Sequence, residues 1–255
     1  MYRYIPHLLI SISLFSYNTA HAEDVSTDKD NLISGSIGLE YGTFLDDLSL
    51  DDTDTVTLSS NFEISLTPKL KLGTDFRKTE FLDLSGAPNS TLSSFNLGYA
   101  FSDKAIIRAF HTNENFFVIG LETYGISTSY TGKKYSISGY VAKADFFQSQ
   151  SLDVNGISAS YNLSENFTVS AGIDRMDVGY GEDLTRSTIG GSYTFGKGKS
   201  IYITANENKF SPYPSGTNIE HLKIGFTMDF GKTGIQPFKS PDFMGMIMSA
   251  EGSLN

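Results

Sequence analysis

Lys223-Ile224-Gly225-Phe226-Thr227-Met228-Asp229-Phe230 decides how this chain is read. Successive side chains of a strand point to opposite faces. Ile224, Phe226, Met228 and Phe230 therefore share one face, and Lys223, Gly225, Thr227 and Asp229 the other. The first face is apolar throughout; the second is polar or small. A strand of this kind suits a wall with hydrocarbon on one side and water on the other, as in a transmembrane β-barrel.

The same period of two recurs upstream, with turn residues between the segments. Ile33, Ile37, Leu39 and Tyr41 alternate with Ser34, Ser36, Gly38 and Glu40. Val56, Leu58, Phe62 and Ile64 oppose Thr57, Ser59, Asn61 and Glu63. Leu70, Leu72 and Phe76 oppose Lys71, Asp75 and Arg77, and Phe95, Leu97, Tyr99 and Phe101 oppose Ser94, Asn96, Gly98 and Ala100. The segment from Ala105 is oriented by Arg108, which has to avoid lipid. From Phe116 to Tyr130 the phase breaks: Phe117, Ile119 and Leu121 read as outward, opposite Glu122, and a bulge near Gly125 is expected to bring Ile126 and Tyr130 back out. Later segments carry Ile137 and Val141, Ile157 and Tyr161, Val169 and Ile173, Ile189 and Tyr193, and Ile201 and Ile203. The fold class is all-β: a closed antiparallel transmembrane β-barrel of about twelve strands, an even number as bacterial barrels require.

Connections alternate between short turns (67–69, 102–104, 131–134, 164–166, 196–199) and longer loops (45–54, 80–91, 174–185, 207–217), with Asn113-Glu114-Asn115 a short exception. Short connections suit a periplasmic side and long ones an extracellular side. Aromatics gather where strands meet the short turns. Tyr99, Phe101, Tyr135, Tyr161, Phe167, Tyr193, Phe195 and Phe230 read as a lipid-facing girdle at headgroup level.

Composition narrows the field. The first residues read as a secretion leader over 1–22: Arg3, the apolar run Leu8–Phe15, and Ala20-His21-Ala22 as the cleavage site. Residues 23–31 form a periplasmic lead, 32–230 the barrel and 231–255 a C-terminal tail that either hangs in the periplasm or plugs the lumen. Cysteine is absent, which excludes disulfide staples and thiolate metal sites. His111 and His221 alone remain outside the leader, too few for a histidine-built metal centre unless carboxylates supply the other ligands; no metal site is expected. Losing Arg3 leaves 18 of the 19 basic residues against 29 acidic ones, a balance of −11. Such acidity repels phosphates and argues against nucleic acid.

From Ile33 to Phe230 the sequence resembles Gram-negative outer-membrane porins. The resemblance rests on Ile157-Ser158-Ala159-Ser160-Tyr161-Asn162-Leu163-Ser164 and Gly191-Ser192-Tyr193-Thr194-Phe195-Gly196, where an aromatic closes a strand at a short turn, and on Lys223–Phe230, which resembles the terminal β-signal of that class. The family implies the outer membrane of a bacterial cell, contact with lipid and lipopolysaccharide, and insertion by the barrel-assembly machinery through Lys223–Phe230. It further implies passive diffusion of small hydrophilic solutes and ions, homotrimers in many members, and no cofactor; no enzymatic activity is expected. Two features depart from it. General porins have about sixteen strands, and their chains end at the terminal aromatic, whereas Gly231–Asn255 follow here, with the apolar run Phe243–Met248.

The residues on the water phase that carry charge are Glu40, Glu63, Lys71, Asp75, Arg77, Arg108, Lys223 and Asp229, the candidate pore lining. Acidic and basic groups balance among them, so strong ion selectivity does not follow. Asp46, Asp47, Asp51, Asp52 and Asp54 crowd one loop; without the Gly and terminal Glu of a calcium loop they read as a solvated acidic loop. Gly196-Lys197-Gly198-Lys199-Ser200 lacks the first Gly and the helix of a phosphate-binding loop and reads as a turn. The alternatives to a diffusion porin are a substrate-selective channel, a phospholipase-like barrel enzyme, an adhesion barrel and a periplasmic β-sandwich. His111 is the residue an enzyme would need, and an interfacial role is favoured for it. The expected outcome is that His111→Ala leaves lipid hydrolysis by the purified protein unchanged; a loss of hydrolysis would establish the enzyme instead.

Overall fold

The computed structural model describes residues 32–45, 54–82, 89–116, 119–146, 150–179, 182–211, 219–231 and 238–243. Twelve strands follow one another: β1 (Ile33–Phe44), β2 (Asp54–Ser65), β3 (Leu70–Phe81), β4 (Ser90–Ser102), β5 (Ala105–Phe116), β6 (Ile119–Thr131), β7 (Tyr135–Phe146), β8 (Gln150–Asn162), β9 (Phe167–Gly179), β10 (Glu182–Thr194), β11 (Lys199–Ser211) and β12 (Ile219–Phe230). Each pairs antiparallel with its neighbours in sequence, and β1 pairs with β12, closing the barrel. The leader and lead, Asp46, Asp47, Asp51, Asp52, Phe117 and the tail beyond Phe243 lie outside the described residues.

Alternation decides which side chain faces which solvent. Leu58, Ile157, Ile189, Ile203 and Phe226 stand outside, and Val141 and Ile189 are about two-thirds exposed. The opposite phase is covered: Glu63, Asp75, Asn96, Arg108, Thr112 and Thr123 are buried in the interior.

The strands run further at the loop end than the sequence pattern predicts. β9 continues to Gly179 and β10 begins at Glu182, so most of the expected loop 174–185 is strand. Asn113–Asn115 likewise belong to β5. Polarity hides these extensions, because outward residues beyond the apolar belt are charged. Lys143 pairs with Asp153, Lys78 with Glu80 and Lys209 with Glu207 on this outer rim. The rim marks the height at which strands leave the apolar belt.

The expected bulge in β6 is absent. β6 pairs with β5 and β7 in unbroken register. Tyr124, Ile126 and Tyr130 are outward, as is Glu122, while Leu121 points inward and is fully buried. Its inward turn is explained by an apolar cluster inside the barrel, described below.

Two glycines make room for an inward tyrosine. A Cβ on Gly225 would lie 2.3 Å from the Tyr202 ring, and one on Gly156 would lie 2.5 Å from Tyr140. Each tyrosine crosses its glycine to reach an acid on the next strand: Tyr202 donates to Glu40 at 2.9 Å, and Tyr140 to Asp174 at 2.8 Å. The register puts the members opposite one another, Tyr202–Gly225–Glu40 across β11, β12 and β1, and Tyr140–Gly156–Asp174 across β7, β8 and β9. The triplets thus lock adjacent strands in register. Gly225→Ala is expected to lower unfolding stability in detergent micelles by about 1–3 kcal/mol, the usual cost of overpacking. Gly191→Ala is the control, since its Cβ meets nothing closer than 3.6 Å. Equal stability of the two variants would count against the triplet.

Candidate functional site: the barrel interior

The interior divides into two halves. Towards the short turns it is lined by hydroxyls on β7, β8, β10 and β11 and by the buried Glu63–Lys71–Arg108 cluster on β2, β3 and β5. Ser136 bonds Ser160 at 2.8 Å, Ser138 bonds Ser158 at 2.7 Å, and Thr194 bonds Ser200 at 3.0 Å across adjacent strands. These small polar side chains come from the water phase of strands whose other phase is apolar.

Towards the loops the interior is partly filled, and the filling is the chain's own tail. Phe238, Ser240 and Phe243 are buried inside the barrel. Ser240 donates its backbone N–H to Asp75 at 2.8 Å, and its hydroxyl bonds the same carboxylate oxygen. Asp242 pairs with Arg77 at 3.2 Å, and its carbonyl accepts from Arg186 at 2.9 Å. The Phe243 N–H donates to Glu114 at 3.1 Å. Its ring is fully buried among Leu121, Ala144, Leu152, Val154, Met176 and Leu184, with Tyr140 edge-on at 5.9 Å. Phe238 packs on Phe110 at 5.0 Å.

Charges on the wall are arranged in pairs. Glu63 accepts from Lys71 at 3.1 Å and from Arg108 at 2.9 Å, bridging β2, β3 and β5. Lys223 meets Glu40 at 3.0 Å across the β1–β12 seam. Arg186 grips Asp174 at 2.8 Å. Of the eight residues singled out as charged lining, Glu40, Glu63, Lys71, Arg108 and Lys223 thus pair along the wall, and Asp75 and Arg77 hold the tail. Asp229 shares the inward phase and is exposed near the short-turn end. The aromatics Tyr99, Phe101, Tyr135, Tyr161, Phe167, Tyr193 and Phe195 stand on the outer face; Phe230 is half-buried there against Phe62.

Beside Asp242 a cleft remains, lined by Thr55, Thr57, Thr79, Asn206, Asn208 and His221 together with Phe44, Phe81, Arg186 and Lys223. The His221 ring stacks on Phe44 at 4.2 Å and lies over Gly42. His221 Nε2 and Asn208 Oδ1 are buried with no protein hydrogen-bond partner. His111 faces outward, with Phe95 and Tyr124 directly opposite on the neighbouring strands.

Asp174, Arg186 and Glu114 were hidden from the sequence reading because each falls in a stretch whose polarity reads as loop. Extending the period of two past Ile173 would place Asp174 and Met176 inward. No periodic signal reveals Ser240, Asp242 or Phe243, since the tail is not a strand.

By sequence the chain matches no family model and no curated protein. By structure it matches solved barrels. The KdgM porin superposes with a TM-score of 0.58 at 11% identity, over 76% of this chain and 99% of that one. The NanC porin gives 0.58 at 9%, over 76% and 100%. An outer-membrane channel from Pseudomonas putida F1 gives 0.54 at 10%, over 82% and 98%. The likeness is one of fold. The KdgM porin has also been solved in complex with a disordered oligogalacturonate, and that structure superposes at 0.56 and 11% identity, over 76% of this chain and 99% of that one.

Removing one acid from the wall tests the pairing. Glu63→Gln leaves two cations facing a neutral amide, and both Glu63 and Arg108 are only 2% exposed. A loss of about 3 kcal/mol or more in unfolding stability is expected. Lys143→Ala breaks an exposed pair on the outer rim, and no measurable change is expected. Similar effects of the two substitutions would contradict the interior pairing.

Proposed function

We propose that this chain is an outer-membrane porin passing small hydrophilic solutes and ions through its barrel. The observation that carries the proposal is the sorting of side chains in a closed barrel: apolar outside, hydroxyl and charge inside. A soluble β-sandwich buries its apolar face between sheets; here that face is the exposed one. Exposed Leu, Ile, Val and Phe around a closed sheet require hydrocarbon, and a hydroxyl-lined interior requires water.

In this reading the eight charged residues from Glu40 to Asp229 line or border the path. The eight aromatics from Tyr99 to Phe230 form the headgroup girdle on the periplasmic side, where both ends of the barrel domain lie. Lys223–Phe230 serves the barrel-assembly machinery, and the porin resemblance adds a homotrimer. Solutes pass through the cleft beside Asp242. An acidic saccharide of the kind bound by the KdgM porin has less to hold it here. Arg77, Arg108 and Arg186 each face a carboxylate, so the interior presents little net positive charge.

Planar-bilayer recording is the direct test. Inserted protein is expected to give ion conductance with a reversal potential near zero in a salt gradient, because interior charges of the two signs balance. Correctly inserted protein that never conducts would overturn the channel. Placement is tested separately by Ile203→Arg, which puts a charge in the apolar belt at a cost of about 2–4 kcal/mol near the bilayer midplane. It is expected to depress insertion into lipid vesicles; unchanged insertion would contradict a lipid-facing belt.

A further inference from the structure

The loop-ward interior holds more chemistry than a diffusion channel uses. Leu121, Leu152, Met176 and Leu184 line an apolar recess on the inner wall. Apolar surface facing a water-filled lumen is unfavourable unless something covers it. The Phe243 ring is fully buried in the recess. Around that ring the wall recognises each part of a short peptide. Glu114 takes the Phe243 N–H, Arg186 the preceding carbonyl, and Arg77 the carboxylate of Asp242. Asp75 takes the N–H and hydroxyl of Ser240.

We propose that this wall is a binding site for an extended acidic-aromatic peptide, an Asp-Phe sequence in its deepest part, and that Phe238–Phe243 is its built-in, displaceable occupant. A barrel needs no such site to stay closed, since its strands already pair all round. The contacts are those of a ligand: two buried rings, one charge pair and several backbone hydrogen bonds, made by a segment outside the sheet. While seated, the segment occupies part of the loop-ward lumen, leaving the cleft beside Asp242. A soluble peptide of the same chemistry competes for the wall and drives the tail out. The gating consequence rests on the channel reading above; the binding site does not.

The test uses the full chain. Asp242→Ala/Phe243→Ala changes only the tail and leaves every wall residue in place. Far-UV circular dichroism checks that its barrel is intact. In planar bilayers the variant is expected to conduct several-fold more on average than the unmodified protein. The C-terminally amidated peptide Phe-Lys-Ser-Pro-Asp-Phe is expected to return the variant to the low level in a saturable manner. The same peptide ending in Ala is expected not to. Equal conductance of the two proteins, with no block by peptide, overturns the proposal while leaving the porin intact. If neither protein conducts, the channel reading fails, and the site is judged by fluorescence polarisation of labelled peptide on the detergent-solubilised variant. Saturable binding that Leu152→Asp abolishes supports the site; absence of binding overturns it.

Discussion

Hydrocarbon offers no hydrogen-bond partner to a peptide group, so a sheet that meets lipid has to close on itself. In this chain the closing seam is β1 against β12, with Gly35 opposite Phe230 and Phe44 opposite His221. The rest of the architecture depends on that seam. It fixes the circumference at twelve strands and so sets an interior too wide for wall side chains alone to fill. It also explains the composition of the last strand. Gly225 stands opposite Glu40 so that Tyr202 can lie across it, and Lys223 reaches Glu40 over the seam. The glycine and the cation of the terminal pattern therefore have a structural use inside the barrel.

A wide interior raises a second problem, which is how to hold charge in a partly dry space. The wall solves it by keeping acids within reach of bases on neighbouring or nearby strands. Glu63 serves Lys71 and Arg108, Glu40 serves Lys223, and Asp174 serves Arg186. Breaking such a pair strands a charge, which costs far more than the pair contributes when intact. The tail joins the same network through Arg77 and Arg186, so the filled part of the lumen is electrostatically continuous with the wall. Towards the short turns, serines and threonines bond one another on β7, β8, β10 and β11, while Glu63 holds Lys71 and Arg108 on β2, β3 and β5.

Much of this was legible in the sequence. Twelve segments, their order and most of their phases follow from alternation alone, because lipid enforces the outward residues on every strand. Arg108 oriented β5 correctly, since a guanidinium has to avoid hydrocarbon. Legibility failed where the enforcing solvent was missing. Beyond the apolar belt both faces of a strand are wet, so Asp174, Arg175, Asp177 and Asp183 read as loop although they continue β9 and β10. It failed again at Leu121, whose inward position makes sense only with Phe243 beside it. An apolar residue facing the lumen breaks the two-solvent rule, and the rule then invented a bulge to restore itself. The tail gave no periodic signal, because its contacts are those of a ligand and not of a strand.

The central claim is that lipid touches one phase of each strand and water the other. The chain has no cysteine, so single cysteines carrying a spin label are placed without interference. Along β8, labels at Ile157, Ala159 and Tyr161 are outward and labels at Ser158, Ser160 and Asn162 inward. In lipid vesicles the account predicts a strict alternation by electron paramagnetic resonance: outward labels relaxed by oxygen, inward labels by a water-soluble nickel chelate. Nickel accessibility without alternation, equal at all six positions, would contradict it.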